Sequence, residues 1–104
     1  MKAIILANYA AHAVKGLIGG SDREAAVKTL VESVGGKLES VVFTRGKYDV
    51  AVTFNMPNQV ATMGLAMAIR ASGALSEVVV LEELDHKAVI AVAQKAAKAY
   101  KPPA

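Results

Sequence analysis

Tyr48-Asp49, just past Arg45-Gly46-Lys47, and Asn8-Tyr9, with His12 three residues further on, are where this chain could do chemistry. An aspartate at the head of the apolar run Val50 to Phe54 could act as a general base or bind an amine. Successive residues of a strand point to opposite faces, so Asp49 is set against the bulky row Tyr48, Val50, Val52 and Phe54. It shares its own face with Ala51 and Thr53, a small and partly polar surface suited to lining a pocket between sheets. The plainer use of an aspartate here is to cap the hairpin by accepting backbone N–H groups, with Arg45 or Lys47 nearby. The candidate ligand-binding set is therefore Asp49, Tyr48, Tyr9, His12 and Asn8, and no catalytic residue emerges.

Other patterns carry less. His86 falls in a distant segment, so no two-histidine metal spacing exists, and with no cysteine a thiolate centre is excluded. Gly16 to Ser21 before a helix could cradle an anion, but it lacks the lysine and spacing of a P-loop. Met56, Met63 and Met67 fit gap-filling core better than a cofactor box. No Ser-His-Asp set can be assembled, and no cofactor or metal is expected.

The elements that must position these residues follow from pattern. Lys2 to Tyr9 is a short run rich in β-favouring residues and reads as a first strand. His12 to Ile18 forms at most a turn of helix, broken by Gly16 and then by Gly19-Gly20. Ser21-Asp22-Arg23-Glu24 fits a capping box, followed by a helix with Val27, Leu30, Val31 and Val34 on one face. Gly35-Gly36 stops it. Lys37 to Thr44 and Tyr48 to Asn55 are strands joined by the tight hairpin Arg45-Gly46-Lys47. Pro57 and Asn58 open a second helix, which runs to about Ser72 and closes at Gly73. Leu75 to Leu84 is a fourth strand. Asp85 caps a third helix whose Val89, Val92, Ala93, Ala96 and Tyr100 share a face. Residues 1–100 then form a single α+β domain and 101–104 a disordered tail. The order βαββαβ with an added C-terminal helix is ferredoxin-like, with a four-stranded antiparallel sheet and two helices on one face.

Composition adds an assembly argument. With 104 residues the chain is one domain, and 54% of it is apolar while only 20% is charged. A monomer of this size has too little interior to hide that much apolar surface. The first and last strands are apolar on both alternations: Ile4 and Leu6 beside Ile5, Val79 and Leu81 beside Val78 and Val80. A sheet with one wet face would alternate cleanly. No charge falls between Asp49 and Arg70, so the second helix reads as apolar nearly all round and hence buried. One chain covers one sheet face, and a second copy is expected to cover the other.

The formal charge of +3 sits in residues 85–104, where Lys87, Lys95, Lys98 and Lys101 outweigh Asp85. Four lysines spread along a helix, without an arginine cluster, read as a solvated face rather than a nucleic-acid surface. The opening Met1 to Ala7 is too short an apolar run for a signal peptide or a membrane span. The expected compartment is cytoplasmic, with no membrane partner.

Asn8-Tyr9, Arg23, Glu32, Gly35-Gly36, Thr44, Gly46-x-Tyr48-Asp49, Pro57 and Gly73, in that order and spacing, resemble the GYD-domain family of small bacterial and archaeal proteins. The likeness spans about nine tenths of the chain. It implies a dimeric α/β barrel, in which two four-stranded sheets pack face to face, and brings no activity with it. Ala10 and Ala13 stand where that family usually has Thr and Gly, and Ala74 and Ser76 where it usually has Asn and Arg. A ligand read by those polar groups would lose them here. The Gly-x-Tyr-Asp hairpin also resembles the effector domain of the Lrp/AsnC regulators, which implies an amino acid bound between subunits. With no helix-turn-helix in this sequence, that reading would need sensing without DNA binding.

The expected function is a homo-oligomer, dimeric or larger, that binds a small molecule in a cleft at the subunit interface. The rival is a cofactor-independent monooxygenase or isomerase, which requires a deep pocket holding a polar dyad such as Asp49 with His12 or Tyr9. A purely structural assembly subunit requires no pocket at all.

Overall fold

Alternation sorts the first strand, β1 (Lys2–Tyr9), into two faces. Ala3, Ile5 and Ala7 turn inward and are buried, while Ile4 and Leu6 turn the other way and keep partial exposure. In this computed structural model, which describes residues 1–103, the same sorting runs through the sheet. The inward face of β3 (Val50–Asn55) is Val50, Val52 and Phe54. β2 (Lys37–Phe43) and β4 (Leu75–Glu82) complete an antiparallel sheet in the order β2-β3-β1-β4. That is the order expected of a ferredoxin-like fold. The central pair is registered by Ile5 opposite Val52, with Val80 on the other side of Ile5.

Between β1 and β2 lie two helices. α1 (Ala11–Ile18) runs straight through Gly16, contrary to the expected break. A glycine inside a helix costs about 1 kcal/mol relative to alanine but removes no hydrogen bond. α2 (Arg23–Ser33) starts one residue later than the capping-box reading places it. Asp22 is the cap, its carboxylate accepting the N–H of Ala25 at 3.0 Å, and Ser21 stays outside. A carboxylate at that position also faces the positive end of the helix, an advantage a hydroxyl lacks.

α2 ends because Gly35 takes φ +82°. Gly36 does a different job. A Cβ built there would lie 2.5 Å from Met56 Sδ, 2.9 Å from Val31 Cγ1 and 3.0 Å from the Asn55 carbonyl, so helix and strand meet over bare backbone.

α3 (Gln59–Ala71) is capped by Asn58, whose side-chain oxygen accepts the Ala61 N–H at 2.8 Å. It buries Thr62, Leu65 and Ala66 on the sheet. Its outer stripe is bare, with Val60 81% and Met67 71% exposed. The absence of charge therefore does not mean burial within one chain, since a helix on a sheet has only one face to bury.

α2 and α3 close one side of the sheet, and Val31, Met56 and Leu65 pack there against the inward strand residues. The opposite side carries Ile4, Leu6, Ala51, Thr53, Val79 and Leu81, all at least partly exposed, Leu81 by 47%. α4 (His86–Ala99), capped by Asp85, buries none of its residues. The chain measures 62 × 31 × 22 Å with a radius of gyration of 17.7 Å, against about 13 Å for a compact domain of this length. Residues 101–103 have no regular structure, and Ala104, the last residue of the expected tail, lies outside the described residues. No helix among the described residues is long and apolar enough to cross a membrane.

Candidate functional site

At the end of β1 the register with β4 slips: Asn8 faces Glu77 but Tyr9 faces Leu75. The extra residue on β4 is Ser76, whose hydroxyl donates to the Asn8 carbonyl at 3.4 Å. Such a bulge re-aims the side chains beside it. Tyr9 packs against the core cluster, while Asn8 points to the hairpin between β2 and β3.

The hairpin is tied to β1 through Asp49. Its N–H donates to Asn8 Oδ1 at 3.0 Å and to the Ala7 carbonyl at 3.0 Å, and its carboxylate accepts the Tyr9 N–H at 2.9 Å. Asn8 Nδ2 donates to the Lys47 carbonyl at 3.0 Å and to Glu77 Oε2 at 3.3 Å, so its amide is fully used. The Thr44 N–H donates to the Asp49 carbonyl at 2.8 Å, and the Thr44 hydroxyl donates to the Tyr48 carbonyl. Lys47 Nζ sits over the Tyr48 ring, 5.6 Å from its centroid.

Four of the five expected site residues, Asn8, Tyr9, Tyr48 and Asp49, thus meet at one corner. His12 lies exposed on α1, and no hydrogen bond or ion pair among the described residues links it to them. The Asn8 amide, the Asp49 carboxylate and the backbone groups between them are spent on one another, which is the economy of a clamp that fixes a hairpin.

Behind Tyr9 the sheet and its helices do not close completely. A cavity of about 360 Å³ lies between β1, β3, α2 and α3, walled by Val27, Leu30, Phe54, Leu65 and Ile69 among others. Of its lining residues only Tyr9, Arg23 and Ser72 carry polar side chains. Ser72 is occupied, its hydroxyl donating to the Ile69 carbonyl at 2.6 Å and accepting the Ala74 N–H at 3.2 Å. Arg23 Nε is buried without a hydrogen-bond partner. Leaving such a donor unsatisfied costs about 1–3 kcal/mol, more for a charged group.

Burial pushes the Tyr9 phenol above its ordinary pKa of 10.0; the Arg23 charge opposes the shift and the Asp49 carboxylate adds to it. The phenol is therefore a neutral donor at physiological pH. Cation and phenol together can bind an anion.

Arg23 was visible in the sequence as part of a capping signal and of the family resemblance, but not as a site residue. The missed clue is its register: 23, 27, 30, 31 and 34 fall on one side of a helix, and four of the five are Val or Leu. An arginine on that stripe faces the apolar side of its helix.

The family model of the GYD domain matches residues 4–96. Among solved structures, that of FFRP-DM1 superposes with a TM-score of 0.55 at 19% identity, covering 80% of this chain and 97% of that one. The hypothetical protein PHS023 from Pyrococcus horikoshii superposes with a TM-score of 0.52 at 17% identity, covering 82% and 92%. These likenesses establish the fold. No curated protein matches the chain.

Proposed function

The chain belongs to the GYD-domain family, and from that premise we propose that it is a homo-oligomeric domain that binds a small molecule. The observation that carries the reading is the cavity of about 360 Å³ behind Tyr9. Its size is at the small end of ordinary ligand sites, and its make-up, apolar walls with three polar side chains of which Ser72 is already bonded, is typical of them. The cleft expected between a sheet and its neighbour is replaced in this reading by a pocket within each subunit, between the sheet and its own helices.

Self-association is supported by surfaces that one chain leaves open. Ile4, Leu6, Val79 and Leu81 form an apolar strip on the uncovered side of the sheet. Val60, Met63 and Met67 line the outside of α3, and Val89, Ile90 and Val92 project from an α4 that buries nothing. Apolar surface in such quantity marks contact sites. A second copy of the chain is the partner that the composition also calls for. Nucleic acid and membrane are not partners in this reading, since the lysines of α4 are spread rather than clustered.

Native mass spectrometry of the gently purified protein tests both halves. The expected spectrum is an oligomer whose subunits carry a bound small molecule that leaves on denaturation. A bare monomer would overturn the reading, and a bare oligomer would favour a structural subunit.

A further inference from the structure

Resting on the reading of the cavity as a ligand site, we propose that its ligand is a compact apolar carboxylic acid, held through its carboxylate by the Arg23 guanidinium and the Tyr9 hydroxyl. The apolar walls select the body of the ligand. The head group is selected by what those walls leave unpaired. Arg23 lines the cavity at the first position of α2, and its Nε reaches neither solvent nor any acceptor. Among the described residues the recorded ion pair is Lys2 with Glu39, and no described carboxylate lies within ion-pair distance of Arg23.

The guanidinium as a whole is only half-buried, but its Nε–H is sealed from water without an acceptor, and a group entering the cavity would satisfy it. The flat fork of a guanidinium matches a carboxylate, donating two parallel hydrogen bonds. Tyr9, whose phenol remains protonated, adds a third donor from the β1 side. Ser72 is already bonded within its own loop and is not free to read the ligand.

The charge balance favours a single negative charge over a phosphate. Asp22 caps the same helix, Glu24 sits in its first turn, and the Asp49 carboxylate lies against the backbone of Tyr9. The one cation can balance a monoanion that it touches directly, whereas a dianion would leave a second charge uncompensated in an apolar cavity. The volume suits a ring or a short branched chain.

Calorimetric titration of the intact protein with phenylacetate, octanoate and the neutral isostere 2-phenylethanol tests the assignment. At least one acid is expected to bind saturably, and phenylacetate at least tenfold tighter than the alcohol. Arg23→Gln should weaken acid binding by roughly 10- to 100-fold, the worth of charge-assisted hydrogen bonds, and leave the alcohol unchanged. Tyr9→Phe should weaken the acids by a few-fold, with circular dichroism confirming that both variants fold. Acid binding that survives Arg23→Gln overturns the proposal. If the alcohol binds as well as the acids, the cavity remains a ligand site and the carboxylate assignment falls. If none of the three binds and the purified protein carries nothing, both readings fall together.

Discussion

Asp49 and Tyr9 are joined through backbone and side chain: the Asp49 carboxylate accepts the Tyr9 N–H at 2.9 Å, across the seam between the β2–β3 hairpin and β1. Together with the Asp49 N–H on Asn8 Oδ1 at 3.0 Å, it fixes where the last residue of β1 emerges. Tyr9 reaches the cavity from there. The hairpin thus acts on the pocket through position and lies outside its lining.

Asp49→Ala is therefore expected to lower stability by about 1 kcal/mol, the net worth of a hydrogen bond at an accessible corner. Asp49→Asn keeps an acceptor and should cost less. Urea unfolding measures both, and native mass spectrometry should show the cavity's ligand retained in the asparagine variant. Loss of ligand from a stable Asp49→Asn protein would return the carboxylate to a direct binding role.

Much of this architecture was legible because the relevant signals are local. Alternation in β1 and β3, the stripe Val27, Leu30, Val31 and Val34, and the glycine stops at Gly35 and Gly73 each depend on neighbours in sequence. The cavity was not legible. It depends on how far α2 and α3 stand from the sheet, a distance between elements that no spacing along the chain encodes. His12 was grouped with Tyr9 by proximity in sequence, but it stands exposed in the first turn of α1, and no recorded hydrogen bond among the described residues ties it to the corner. The charge-free second helix misled for a related reason, because a helix on a sheet buries only one face, and Val60 and Met67 lie on the other.

Gly36 offers a sharp check on the packing of α2 against β3. Gly36→Ala is expected to cost about 1–3 kcal/mol, since the new methyl would press on Val31 and on the Asn55 backbone. The φ at Gly36 is ordinary, so the penalty is crowding rather than backbone strain. Thermal unfolding would reveal it as a lowered midpoint; an unchanged midpoint would mean that the helix can ride outward at little cost.

Tyr9 gives the stability curve a slope at high pH. Its phenol is held above 10.0 in the folded state, chiefly by burial. Below the unfolded pKa both states bind the proton, and the group contributes no pH dependence. As pH rises past about 10 the unfolded chain releases its proton first, so the folded state binds more and stability falls. Chemical unfolding measured between pH 9 and about 11 should show a steeper decline in the wild type than in Tyr9→Phe. Parallel curves would mean that Tyr9 ionises alike in both states.

Val79 tests what covers the open side of the sheet. It stands opposite Leu6 on the uncovered face, with Leu81 opposite Ile4 beside it. Within one chain Val79 is only half-buried, so an aspartate there can keep its charge hydrated and the core on the far side is untouched. Against a second copy the same carboxylate would be shut away from water without a partner, at a cost of several kcal/mol at each contact. Val79→Asp is therefore expected to give a folded monomer where the wild type is an oligomer. Light scattering supplies the mass and circular dichroism the fold. A wild type that is monomeric at micromolar concentration, or a variant that still assembles, would remove this face from the interface. Val60→Asp on α3 would then be the next substitution to make, because it probes the other apolar surface that the chain leaves bare.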